Sequence, residues 1–251
     1  DGTGVQDPAL MRRAMEYATT YGLTVFLRPE DRHLRNQGCV HEGRLATRLG
    51  LPGIPEAAET VALARDLALA EQTWARVHFC CLSTRRATEM LARAVQRGVR
   101  ASADVSAHQL FLTEDDISEF DSNCHVSPPP RTSADRAALR AALARGGLTA
   151  ICSDHQPHEE DAKLAPFPST APGISALETL LPLTLRLVAE EVLDLSSALA
   201  RITVGPAQIL GQPYGRLDQG KVADVCIFDP RERWVPSQLT LVSQGRNTPF
   251  L

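Results

Sequence analysis

Along most of the chain, stretches with apolar residues every three or four positions alternate with short runs that are apolar throughout. Pro8–Thr20 follows the helical period, with Leu10, Met11, Ala14 and Ala18 on one face, and Gly22 ends it. "LTVFL" (residues 23–27) then reads as a buried strand from its β-branched and aromatic content. Glu56–Thr73 is a long helix pattern, followed by the strand run "ARVHFCCL" (75–82). Ser83 and Thr84 open a helix that runs to Gln96 and stops before Gly98. "RASADVSA" (100–107) is strand-like, "SADRAALRAALARGG" (133–147) helical, "LTAICSD" (148–154) strand-like, and a helix is expected over 176–190. Strand and helix alternating through short turns predict parallel β/α units.

Polar residues collect where these strands stop. Arg28 follows the first run, Cys81 lies near the end of the second, and Asp154 and His155 end the fourth. In a β/α barrel the carboxyl ends of the strands line the active face. After Gly211 the helical period gives way to Gly turns and the partly alternating run "ADVCIFD". This predicts a partial barrel over residues 1–211 and a small β module over 212–251.

Composition changes this picture little. The 251 residues are 43% hydrophobic, 22% charged and 5% aromatic, with a net charge of -4, which describes an ordinary globular domain. No basic excess suggests a nucleic-acid surface. No apolar run reaches the roughly 20 residues of a membrane span. The six cysteines are scattered without a C-x-x-C pair, so free thiols and a cytoplasmic location are expected. The vicinal pair Cys80–Cys81 would be strained as a disulfide.

The densest chemistry is "SDHQPH", which places Asp154, His155 and His158 within five residues. An acid and two imidazoles suit a metal site. They equally suit a polar strand end with no further role. His78 reads as a packed strand residue, and His41–Glu42 as a solvated or capping pair.

The segments "MRRAMEYA", "EDRHL", "HEGRLATRLGLPGIP", "VHFCCLST", "SPPPRTSADR", "SDHQPH", "PGISALETLLP", "GKVADVCIFDP" and "SQGRNTPF", in this order, resemble the dihydroorotase branch of the amidohydrolase superfamily. The resemblance covers essentially the whole chain, and its specificity lies in the number of ordered matches. It implies an α/β fold: the C-terminal half of a TIM-type (β/α)8 barrel, strands five to eight, with part of a composite β-sandwich. On that alignment strands one to four lie ahead of Asp1. A half barrel would leave open edges and an uncovered apolar inner face, so a longer parent chain is expected.

Active members of that family use one or two zinc ions. The resemblance places Asp1 at the bridging carboxylate, Arg28 and Cys81 at two histidine ligand positions, and Asp154 at the catalytic aspartate. It places Ser127 where a substrate-binding asparagine is usual, and His158, Pro172 and Gly173 at substrate contacts. A guanidinium has no lone pair to give and keeps its charge, so Arg28 cannot bind zinc. A thiolate can, so Cys81 alone would not abolish a site. Without metal, Asp154 would be vestigial, because the acidity of its water depends on zinc. Arg28 is expected to replace the metal charge by pairing with Asp1 and Asp154. The implied protein is a non-catalytic dihydroorotase-like subunit without cofactor that assembles with aspartate carbamoyltransferase in a mixed oligomer. The alternative is a working zinc-dependent dihydroorotase or related cyclic amidase.

Overall fold

The computed structural model describes residues 4–233, 235, 237 and 240–250. Its centre is a four-stranded, wholly parallel sheet. In chain order, α1 is Pro8–Thr20, β1 Thr24–Leu27, α2 Arg32–Arg35, β2 Val40–His41, α3 Arg44–Leu49, β3 Gly53–Ile54 and α4 Glu56–Thr73. Then come β4 Arg76–Phe79, α5 Arg85–Gln96, β5 Ala101–Ser106, α6 Ser133–Ala144 and β6 Ala150–Cys152. The chain continues through α7 Leu180–Ala189, α8 Leu195–Ala200 and α9 Val204–Ile209. The sheet order is β1-β4-β5-β6, with Leu27 opposite Phe79, Phe79 opposite Ala103 and Val105 opposite Ile151. The four strands and the helices between them follow the expected alternation.

Side chains alternate across the strands, which sorts the sheet into two faces. Val77, Phe79, Ala103, Val105 and Ile151 pack with Leu63 and Leu67 of α4, Leu91 of α5 and Leu139 of α6. The opposite face carries Phe26, His78, Ser102, Asp104, Ser106 and Cys152, five of them joined by hydrogen bonds. The inner face is therefore mainly polar, where an apolar one was expected. Phe26 is 47% exposed because β1 is a sheet edge, paired only with β4 among the described residues.

Two helices differ from expectation in detail. The face α1 buries is Met11, Met15 and Ala18, one residue per turn, while Leu10 and Ala14 are exposed. Asp7 sets the start of α1 by accepting from the backbone amides of Ala9 and Leu10. Helix α7 begins at Leu180 rather than near 176, because Ile174 bridges to His155 and the amides of Ala176 and Leu177 both donate to the His155 ring.

Beyond Gly211 the described residues form no strand, and Ile227 of "ADVCIFD" is 93% exposed. A strand exists only when its backbone groups are paired, and the described residues present no edge to this run. The end of the chain does fold back. Glu178 accepts from the amides of Val242 and Ser243, and Asn247 docks under the loop after β6. Among the described residues no helix is long and apolar enough to cross a membrane.

Candidate functional site at the carboxyl edge of the sheet

Arg28 follows β1 directly, and Cys81 and Asp154 come two residues after β4 and β6, so the topology brings all three to one edge. Asp1 lies outside the described residues. Cys81 and Asp154 both have left-handed backbones, with φ of 57° and 48°. Non-glycine residues avoid this region, so each turn is held by its surroundings. At Cys81 the restraint is visible: its amide donates to Asp104 Oδ1 at 2.8 Å. Asp104 is 7% exposed and is held again through Oδ2 by His78 Nε2 at 2.9 Å. The other ring nitrogen of His78 meets Ser102 Oγ at 2.8 Å.

The two sulfurs of Cys81 and Cys152 lie 3.7 Å apart, and Cys152 donates to Asp104 Oδ1 at 3.2 Å. That hydrogen bonding to Cys81, followed by burial, raises the Cys152 thiol well above its ordinary range. Burial first, then Asp104, pushes the Cys80 thiol up to about 12. All six cysteines are free, as expected.

Arg28 does not pair with Asp154. Its Nη2 donates to the main-chain carbonyl of Ser127, and no carboxylate of the described residues forms an ion pair with it. The expected charge replacement through Asp154 is therefore absent. The guanidinium reaches to the loop carrying Ser127, where a carbonyl takes the place of the carboxylate. Asp154 accepts instead from Gln156 Nε2 at 3.0 Å and from Ser106 Oγ at 3.4 Å. Next to it, His108 is 1% exposed, and neither ring nitrogen has a hydrogen-bond partner among the described residues. Burial lowers its pKa, Arg28 lowers it further, and Asp154 opposes both.

The expected substrate contacts form a separate group. His158 Nε2 lies 3.1 Å from the Pro172 carbonyl. Gly173 has φ of +147°, and a Cβ there would meet Gln156 Cβ at 2.7 Å and His158 Nε2 at 2.8 Å. Asn247 ties this group together: its Oδ1 accepts from the His158 amide, and its Nδ2 donates to the carbonyls of Gln156 and Gly173. A cavity of about 410 Å³ opens beside it, lined by His158, Lys163, Arg246 and Asn247 among others. Ser127 does not line that cavity, so it and His158 serve different walls. His155 is spent on the amides that start the α7 approach.

A further set escaped sequence reasoning. Glu59, 3% exposed on α4, accepts from the amides and hydroxyls of both Ser83 and Thr84. Arg131, also 3% exposed, donates to Ser83 Oγ, to the Ile54 carbonyl and to His41 Nδ1. His41 is thus a partner of a buried cation, not a solvated cap, and its pKa falls to about 4 through burial and then Arg131. A narrow cleft lined by Arg28, Cys81, Glu59 and Arg131 joins this set to the sheet edge. Spacing gave no signal for Glu59, Asp104 or Asn247, because their partners are distant in sequence. The polar period-2 run from Ser102 to Ser106 was the available clue to Asp104.

Of the residues at expected zinc positions within the described chain, Cys81 and Asp154 offer donors and Arg28 offers none. Among the described residues this set does not supply the donors of a two-zinc centre.

Residues 1–87 match the family model described as dihydro-orotase-like. Over 241 residues the chain is 49% identical to the dihydroorotase-like protein of Pseudomonas putida, covering 96% of this chain and 57% of that protein. Over 250 residues it is 46% identical to the dihydroorotase of Syntrophotalea carbinolica, covering 100% of this chain and 59% of that protein. The chain thus spans less than two thirds of the curated relatives it matches. The fold is shared with D-hydantoinase from Bacillus sp. AR9, with a TM-score of 0.81 at 21% identity over 93% of this chain and 54% of that one. The parallel sheet and its helices are accordingly part of an amidohydrolase TIM-type barrel.

Proposed function

The chain belongs to the dihydroorotase family of the amidohydrolase superfamily, and on that premise we propose a non-catalytic member acting in pyrimidine biosynthesis. One observation carries the reading: a guanidinium, Arg28, stands at the carboxyl end of β1 where the family places a metal ligand, and it is committed to the Ser127 carbonyl. Hydrolysis in this family needs a metal to acidify water. A fixed cation without a lone pair opposes a metal at that position. Asp154 then lacks an activated water to deprotonate. A protein that keeps the barrel while losing this chemistry serves through its surface, and the partner we propose is aspartate carbamoyltransferase, in a cytoplasmic mixed oligomer.

A second reading, an active zinc-dependent dihydroorotase or related cyclic amidase, draws on Cys81 and Asp154 sharing one edge. The test is reconstitution of the full-length protein. It is expected to show no dihydroorotate formation with added zinc, to bind well under two zinc per chain, and to co-purify with the transcarbamoylase, whose activity or assembly drops without it. Restoring Arg28→His together with Cys81→His is expected to raise zinc uptake. Ring closure by the unaltered protein would favour the second reading.

A further inference from the structure

We propose that Cys81, Cys152 and Asp104 form a site for one soft divalent cation of the zinc class, a donor set that shares Cys81 with the family positions and adds Cys152 and Asp104, which the resemblance assigns no role. One ligand atom from each lies within 4.8 Å of the others. Zinc–sulfur bonds of about 2.3 Å at the tetrahedral angle put two sulfurs about 3.8 Å apart. Cys81 Sγ and Cys152 Sγ are 3.7 Å apart. The same geometry, with a zinc–oxygen bond of about 2.0 Å, sets sulfur and oxygen about 3.5 Å apart. Cys152 Sγ and Asp104 Oδ1 are at 3.2 Å, so only a slight opening is needed.

The surroundings support the assignment. Asp104 is clamped by His78 Nε2 and the Cys81 amide, the kind of outer contact that orients a metal-binding carboxylate. Cys81 and Asp104 are 8% and 7% exposed, which shields the site from bulk water. Two thiolates and a carboxylate around a divalent ion leave one net negative charge, and Arg28 at the same edge offsets it. The arginine that defeats the two-zinc centre is thus compatible with this one. Paired thiolates select soft cations over magnesium or calcium. A second group, His78, Cys80 and Asp104, shares the carboxylate, but the His78 nitrogen nearest to it is already engaged.

This goes beyond the non-hydrolytic reading and does not depend on it. The experiment titrates the full-length protein, stripped of metal and kept reduced, with cobalt(II) alone. One equivalent is expected to give the intense visible bands of tetrahedral cobalt and a sulfur-to-metal charge-transfer band. X-ray absorption of the zinc-loaded protein is expected to show two sulfurs at about 2.3 Å, a readout that needs no variant. Cys152→Ser and Asp104→Asn are each expected to weaken cobalt binding by at least about tenfold, and Cys80→Ser to leave it unchanged. Absence of the charge-transfer band in the unaltered protein, sulfur-free zinc coordination, or undiminished binding by Cys152→Ser would overturn the proposal. A dihydroorotase-type centre would be told apart by two metals per chain and by turnover that survives Cys152→Ser.

Discussion

Glu59 and His108 are both buried polar side chains on the carboxyl side of the sheet, and their hydrogen bonding differs in kind. Glu59 accepts from the amides and hydroxyls of Ser83 and Thr84, and Arg131 links Ser83 to Ile54 and His41. Both side chains are 3% exposed, and the cation and the carboxylate share Ser83. His108 is buried more deeply, with both nitrogens unpartnered among the described residues, between Arg28 and Asp154. A polar group taken out of water is tolerated when every lone pair is matched and costly when it is not. The first set holds together the helix starts and loops that frame the barrel. The second sits at the sheet edge with Arg28 and Asp154, and its groups are not closed on one another.

The largest effect should come from opening the closed set. Glu59→Ala strands two amides, two hydroxyls and the Arg131 charge in the interior. A loss of about 3–5 kcal/mol is expected, the range for removing one partner of a buried pair. Urea unfolding of the full-length protein would measure it as a lower midpoint. A loss below about 1 kcal/mol would mean water replaces the carboxylate and the two regions are not different in kind.

What the sequence revealed follows the same division. Four parallel strands and the helices between them were legible because periodicity is a local signal. Helix α1 shows the limit: the period was read correctly, but the buried face is set by Met15 and not by Leu10, which depends on where α4 lies. Arg28, Cys81 and Asp154 were legible as one edge because strand ends are local too. The direction of the Arg28 side chain was not, since Ser127 is 99 residues away. The Glu59 set was invisible because its parts come from α4, the β4–α5 turn and the loop before α6. The expected β module has no strand among the described residues, because alternation is a pattern in one segment while a strand requires two.

Deleting the open group should have the opposite sign. His108→Leu removes two unpartnered nitrogens at similar volume, and a gain of about 1 kcal/mol near pH 7.5 is expected. The gain should grow in acid. Folding depresses the His108 pKa below its ordinary value of 6.5. Between those two values the unfolded chain binds the proton and the folded one does not, so stability falls as pH falls. The leucine variant lacks that slope. Parallel stability–pH curves for the two proteins would show that His108 is partnered in solution.

The smallest effect belongs to Arg28, and it tests whether the open region is coupled within itself. Arg28→Ala removes the donor to the Ser127 carbonyl. Arg28 is only half-buried and itself lines a narrow cleft, so the loss should be about 1 kcal/mol near pH 7.5. Arg28 is also one of the charges that holds the His108 pKa down. Without it the folded-state pKa moves back toward 6.5, and the interval in which acid destabilises the fold becomes narrower. The cost of Arg28→Ala should therefore shrink as the pH is lowered from about 6.5, whereas loss of a hydrogen bond alone would leave it constant. In the His108→Leu background that recovery should vanish and the cost should stay constant with pH. Recovery that persists in the double variant would separate His108 from the effect of Arg28.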